Sequence, residues 1–226
     1  MALNHIECIS LTKKYTVRNQ NVIAVDNINL SIGQNELVLL KGRSGAGKST
    51  LLNLMCGLIR PTNGKVMIDN DCITDMPDSS LSRLLSEKIG IIFQSFNLLP
   101  TYTVYENVEV ALVSKGSDRN SVRDNIFSLL DHFSLKDKAM LLPSELSAGQ
   151  QQKVAIIRSL IKQPSVVFAD EPTGSVDDET ATEIMEHLLY LKKEKKVTLV
   201  IATHGNVPEK IADRVYIIEN GRIISG

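Results

Sequence analysis

Residues 42–49 read Gly-Arg-Ser-Gly-Ala-Gly-Lys-Ser, where an apolar run over residues 36–41 gives way to a helical pattern beginning near Lys48. A complete GxxxxGKS pattern between a strand and a helix restricts the chain to folds that build an anion cradle at a strand-to-helix turn. Gly42, Gly45 and Gly47 lack a Cβ, so the backbone can curl with its N–H groups inward, and the helix start adds its positive end. Arg43, Ser44 and Ala46 complete that cradle. In this pattern Lys48 reaches the β and γ phosphates of a nucleoside triphosphate, Ser49 offers a hydroxyl to Mg²⁺, and Thr50 touches the α phosphate. A ligand-free glycine-rich turn is the plain alternative, but it leaves the complete spacing unexplained.

A chain of 226 residues can bury one sizeable core, or one domain with a smaller inserted lobe. Its formal net charge of −1 gives no general pull toward nucleic acid or anionic lipid. Cys8, Cys56 and Cys72 are odd in number and widely spaced, so they read as packing residues in a reducing compartment rather than a disulfide framework or zinc site. Polar residues interrupt every early apolar run, and no stretch approaches the ~18 apolar residues of a membrane span. The expectation is a soluble cytoplasmic chain.

Short apolar strands alternating with longer amphipathic segments predict an α/β architecture. Strands are expected at 6–11, 28–32 and 36–41, close together and separated by turn-prone residues, so an antiparallel β portion precedes the loop. A mixed sheet follows, with strands at 65–69, 89–93, 166–170, 197–202 and 214–219, and Asn220-Gly221 turning a terminal hairpin. Residues 98–142 show no strand pattern. Helix-like spacing at 104–113 and 122–133 instead predicts a helical lobe inserted between the two halves of the sheet. The charged run 192–196 reads as a solvated helix end, without nucleic-acid contact.

Residues 166–171 read Val-Val-Phe-Ala-Asp-Glu, an apolar strand ending in two carboxylates. Asp170 is suited to hold Mg²⁺, and Glu171, beyond the strand end, to polarise water attacking the γ phosphate. Two exposed acids at a strand terminus are the alternative.

Leu146-Ser147-Ala148-Gly149-Gln150 opens a helical pattern running to about Lys162. Together with residues 42–49, Gln94, Asp170-Glu171, Ser175-Val176-Asp177 and His204, in that order, it resembles the signature motif of the ATP-binding cassette (ABC) family. The resemblance runs from Tyr15 to Gly221. The segments 92–100, 105–108 and 169–174 are most similar to the bacterial subgroup of lipoprotein-release, macrolide-export and antimicrobial-peptide-resistance ATPases.

The physics of residues 146–150 is independent of that resemblance. Ser147 is a good N-cap and Gln150 stands three residues on, as a capping box requires, so a well-formed helix start has N–H groups to offer an anion. One chain has no evident way to close two clamps on one γ phosphate, which favours a head-to-tail pair sandwiching two ATP. The resemblance implies that Ser147, Gly149 and Gln150 close on nucleotide held by the other copy, and that Asp177 communicates across the interface. It also implies that Tyr15 stacks on adenine, a contact that needs only a flat π face. Gln94 would sense Mg²⁺ and the attacking water, or simply cap its strand; His204 would hold the γ phosphate and orient Glu171, or be structural.

The chain departs from the family pattern at Ala148, where Gly is commoner, at Lys153, where Arg is, and at Val176, where a smaller residue is usual. Gly205-Asn206 follow His204 where Asp is typical. None removes a catalytic group; Ala148 and Val176 add bulk near the expected interface and bear on turnover.

The resemblance implies a single P-loop ATPase cassette over residues 1–226, with residues 98–142 and the signature-helix start as its helical lobe. It would bind ATP and Mg²⁺, hydrolyse ATP, and form a homodimer when ATP is bound. The cassette would drive a separate integral membrane permease from the inner face of the cell membrane, as an exporter or extruder. Mechanical signalling through a membrane partner remains a rival output. Ribosome- or chromosome-directed ATPases of the family carry a second cassette or long heptads, and this sequence has neither.

Overall fold

The computed structural model describes residues 4–18, 20–115, 119–205 and 207–226. A six-stranded sheet forms the centre: β3 (Leu37–Lys41), β6 (Ile89–Ile92), β7 (Val166–Asp170), β8 (Thr198–Thr203), β9 (Arg214–Glu219) and β10 (Arg222–Ser225), in the order β10-β9-β3-β8-β7-β6. All neighbouring pairs are parallel except the β9–β10 hairpin, which makes the sheet mixed. Asn220 and Gly221 both take positive φ (48° and 76°) in the tight turn between them, as the sequence leads one to expect.

The central strands are apolar at nearly every position because both of their faces are covered. Val38, Leu40, Val166, Phe168, Val200 and Ala202 face one buried cluster, and the alternate residues Leu37, Leu39, Val167, Ala169, Leu199 and Ile201 face the other. The first cluster packs α1 (Lys48–Met55) and α2 (Asp78–Lys88). The second packs α3 (Val104–Glu109), α4 (Arg119–His132), α5 (Ala148–Leu160) and α6 (Asp178–Lys195). Among the described residues none between 98 and 142 is a strand. Buried Asn107 holds the lobe's entry, donating to the carbonyls of Leu99, Tyr102 and Thr103 and accepting from the Leu99 N–H.

A second, antiparallel sheet has the order β2-β1-β4-β5, from β1 (Asn4–Val17), β2 (Gln20–Gly33), β4 (Asn63–Ile68) and β5 (Asp71–Cys72). Two strand assignments change places. The 36–41 strand, grouped by sequence with the antiparallel portion, lies inside the six-stranded sheet between β8 and β9, and the 65–69 strand belongs beside β1. Local turn signals show where a chain reverses; they do not show which distant strand it pairs with. Helix α2 was not foreseen, since only Leu81 and Leu84 of its eleven residues are buried.

Buried His5 joins the two sheets, with Nδ1 2.8 Å from Thr198 Oγ1. Its Nε2 lies 3.3 Å from Asp69 but is not aligned for a hydrogen bond. Burial pushes the His5 pKa down, against the opposing pull of Asp69. Cys8 and Cys56 are buried free thiols, as packing residues should be, and burial raises the pKa of each. No helix among the described residues is long and apolar enough to cross a membrane.

Candidate nucleotide site

The carboxyl ends of four adjacent strands carry the predicted residues to one rim. The phosphate loop follows β3, His204 follows β8, Asp170 ends β7 with Glu171 next, and Gln94 lies two residues past β6. This is where open α/β sheets bind ligands. A cavity of about 230 Å³ at that rim is lined by the loop from Ser44 to Thr50, excepting Ala46, together with Ala24, Gln94, Glu171 and His204. The volume is below the roughly 300–1,000 Å³ of pockets that enclose a small molecule. It suits the phosphates, so a base must lie outside, toward the β1–β2 ribbon that carries half-exposed Tyr15. Tyr15 does not line the cavity, and Lys13 Nζ stands 5.2 Å from its ring centre.

Two of the loop's three glycines are enforced by the backbone around them. Gly47 has φ 105°, and a Cβ there would lie 2.2 Å from the Ala24 carbonyl. A Cβ on Gly42 would lie 2.3 Å from the Ile218 carbonyl. The β9–β10 turn braces the loop from behind, where Gly221 donates to Ala46 O at 2.9 Å and accepts from Asp26 N at 2.8 Å. Helix α1 has no side-chain cap at Gly47, so its leading N–H groups are open to an anion. Lys48, 5 % exposed, donates to the carbonyls of Gly42 (2.9 Å) and Arg43 (3.2 Å) and lies 3.8 Å from Glu171 Oε1.

Ser49 Oγ donates to Asp170 Oδ1 at 3.0 Å. Burial raises the Asp170 carboxyl pKa, and neighbouring Glu171 adds to the rise, against the Ser49 hydrogen bond and Lys48. A cation beside Asp170 would reverse that cost. The hydroxyl of Ser49, the carboxylate of Asp170 and the amide of Gln94 form a hard oxygen donor set that suits Mg²⁺ completed by phosphate oxygens and water. Among the described residues no group of three or more His, Cys, Asp or Glu is placed to hold a metal.

Glu171 leaves β7 in the left-handed conformation (φ 47°) and is 8 % exposed. Its Oε1 is 2.7 Å from His204 Nδ1, and its Oε2 accepts the His204 N–H at 3.2 Å. Gly205 N donates to Thr203 Oγ1, closing the turn that presents His204; Asn206 lies outside the described residues. Ala24 lines the cavity without any sequence signal, because it contributes by backbone position alone.

The signature residues lie elsewhere. Ser147, Gly149, Gln150 and Asp177 do not line this cavity. Ser147 caps α5 by accepting the Gln150 N–H (3.3 Å), and Gln150 Oε1 accepts the Ser147 N–H (3.0 Å), the capping box expected from the sequence. Asp177 caps α6 through Thr180. Ala148 is exposed, Val176 packs against the second cluster, and Lys153 pairs with Glu183 at 2.5 Å.

A separate groove of about 680 Å³ runs between α2 and the lobe, lined by Leu58, Leu85, Phe93, Val110, Ala111 and Arg158 among others. Leu98, Leu99, Pro100 and Tyr102 do not line it. Leu98 packs against the lobe core, while Leu99 and Tyr102 are exposed.

The family model described as ABC transporter matches residues 25–174. The methionine import ATP-binding protein MetN of Staphylococcus saprophyticus is 41 % identical over 220 residues, covering 97 % of this chain and 64 % of that protein. This chain therefore spans somewhat less than two thirds of that relative's length. The ABC transporter ATP-binding protein YtrE of Bacillus subtilis is 39 % identical over 209 residues, 92 % of this chain and 90 % of YtrE. A dimeric, post-hydrolysis structure of the ATP-binding cassette MJ0796 bound to ADP and Pi superposes with a TM-score of 0.92 at 35 % identity, covering 97 % of each chain. With the phosphate loop, the two carboxylates and the signature segment set on this fold, the chain belongs to the ABC transporter family as one of its ATPase cassettes.

Proposed function

We propose that residues 1–226 act as one cassette that pairs head-to-tail with a second copy around two Mg–ATP, hydrolyses them, and drives a separate membrane permease from the inner face of the cell membrane. One observation carries the pairing: the phosphate-loop cavity is lined without any residue of the capped α5 start, so each copy holds a cradle and a second clamp that do not meet. The dimeric MJ0796 structure supports the same reading.

Lys48 exchanges the Gly42 and Arg43 carbonyls for phosphate oxygens, a trade of neutral acceptors for charged ones. Ser49, Asp170 and Gln94 would hold Mg²⁺, which would supply neutralisation of the charge developing on the transferred phosphoryl group. Glu171 takes the proton of the attacking water, held in place by His204 through its ring and its backbone N–H. Tyr15 offers its ring to adenine. Ser147, Gly149 and Gln150 of the second copy approach the γ phosphate, and Asp177 lies at the shared surface. Closure then follows from differential binding, since filling both clamps favours the paired state and hydrolysis removes the bridge.

The groove between α2 and the lobe is the docking place we assign to the permease. The motifs at 92–100 and 169–174 favour extrusion, whereas the similarity to a methionine import protein favours uptake; the permease that co-purifies from membranes decides the direction. The test of the pairing uses Glu171→Gln. The variant should bind ATP, hydrolyse it roughly 10²–10⁴-fold more slowly, and run as a dimer in Mg–ATP but as a monomer of 24.9 kDa in ADP. Hydrolysis at the parent rate would remove Glu171 as the base.

A further inference from the structure

The starts of α5 and α6 lie against each other, and one side chain joins them. A Cβ built on Gly149 would stand 2.6 Å from Thr180 Cγ2 and 3.1 Å from Thr180 Oγ1. Gly149 does not take a positive φ, so the demand for glycine there comes from space and not from backbone conformation. The same threonine donates its hydroxyl to Asp177 Oδ2 at 2.9 Å and its N–H to Asp177 Oδ1 at 2.9 Å. Its methyl therefore touches the signature segment while its hydroxyl holds the cap of the next helix.

Two further contacts keep α5 fixed along the same stretch. Lys153, one turn beyond Gly149, pairs with Glu183, and buried Gln152 donates to the Pro172 carbonyl at 2.7 Å, one residue past Glu171. Against this firm backing, Thr180 is in contact with both Gly149 and Asp177.

We infer that Thr180 is a positioning residue that locks the signature segment to Asp177, so that both surfaces turned toward the second copy move as one body. The inference rests on the head-to-tail pairing proposed above. It divides the side chain into two separable functions. The methyl sets the distance to Gly149, and the hydroxyl sets the orientation of Asp177.

The experiment measures the ATP concentration that gives half dimerisation in the Glu171→Gln background, beside monomer affinity for a fluorescent ATP analogue and the melting temperature. Gly149→Ala should raise the half-dimerisation concentration by roughly tenfold or more, since an added methyl meets a packed neighbour. Thr180→Ser deletes the obstructing Cγ2 and keeps the hydroxyl; alone it should weaken dimerisation only slightly, by loosening the contact with Gly149, and added to Gly149→Ala it should recover most of the loss. Thr180→Val keeps the branched shape and deletes the hydroxyl, and it should weaken dimerisation by roughly three- to tenfold, about the loss of one hydrogen bond. Monomer ATP affinity should stay at the parental value in both Thr180 variants, and Thr180→Val should lower the melting temperature only slightly because its lost hydrogen bond is exposed, whereas a merely structural role would lower the melting temperature and leave dimerisation unchanged. If Gly149→Ala with Thr180→Ser is no better than Gly149→Ala alone, or if Thr180→Val dimerises as the parent does, the inference is overturned. If the Glu171→Gln parent stays monomeric in saturating Mg–ATP, the pairing itself fails and the inference with it.

Discussion

The start of α1 and the start of α5 are both helix N-termini that the proposed function turns toward phosphate, and they are built in opposite ways. At α1 the N-cap is Gly47 with no side-chain hydrogen bond, and the cavity beside it is lined by a buried lysine, Ser49 and Glu171, with Asp170 held behind by the Ser49 hydroxyl. At α5 the N-cap is Ser147 in a reciprocal capping box, and none of the residues lining the phosphate cavity stands beside it. The first terminus is completed by its own chain and is left uncapped so that a ligand can finish it. The second is finished internally, which keeps it rigid without a ligand and leaves its remaining donors to an acceptor from outside. Under the proposed pairing the two termini differ in what they need: α1 needs a nucleotide, and α5 needs a nucleotide already held by another molecule.

Breaking each terminus in turn should separate these needs. Lys48→Ala removes a buried cation that contacts phosphate in both the ground and the transition state, so nucleotide affinity and kcat should fall together, the latter by roughly 10²–10³, as for loss of one electrostatic donor. Equilibrium nucleotide binding beside steady-state hydrolysis reads both. Ser147→Ala should leave the affinity of the monomer unchanged and lower kcat, at a stability cost of about 1 kcal/mol for a lost N-cap; chemical denaturation measures the second part. If Ser147→Ala weakened binding of nucleotide to the isolated monomer, α5 would belong to the same site as α1 and the contrast would collapse.

The smallest effect concerns the joint behind the α1 site. Buried His5 has a folded-state pKa below its unfolded value of about 6.5. Above that pH both states leave it neutral and it adds no pH dependence. As pH falls below about 6.5 the unfolded chain takes up a proton that the folded protein resists, so stability is lost until the folded-state pKa is reached. His5→Gln should flatten that part of the stability-versus-pH curve, measured by denaturation between pH 7 and 5, while the nucleotide-dependent properties of α5 stay as they were.

The α1 terminus was legible in the sequence because its parts are local. The glycines, Lys48 and Ser49 are contiguous, the strands before the loop and before Asp170 are continuous apolar runs, and the capping box at α5 is likewise a spacing of three residues. Sheet membership was not legible. β3 pairs with β8 and β9, which follow it by about 162 and 176 residues in sequence, and nothing in residues 36–41 names those partners. The β1–β2 ribbon extends well past the predicted strands: its outer part is exposed even at the apolar Val22 and Ile23, so it has no alternation of buried and polar positions to mark it. Thr180 follows Asp177 by three residues, an N-cap spacing visible in the sequence. Its contact with Gly149 is tertiary, and no local signal carries it.

The central claim is that a cradle from one copy and a signature segment from another make each working site. The most direct measurement mixes two defective proteins, Lys48→Ala and Gly149→Asp, each of which should be nearly inactive alone. In an isologous pair built from one of each, one site combines both defects and the other has an intact cradle and an intact signature segment. The account predicts that mixing restores hydrolysis, up to roughly a quarter of the parental rate for random pairing of copies. A mixture no more active than the sum of its parts, although mixed dimers are shown to form, would contradict it.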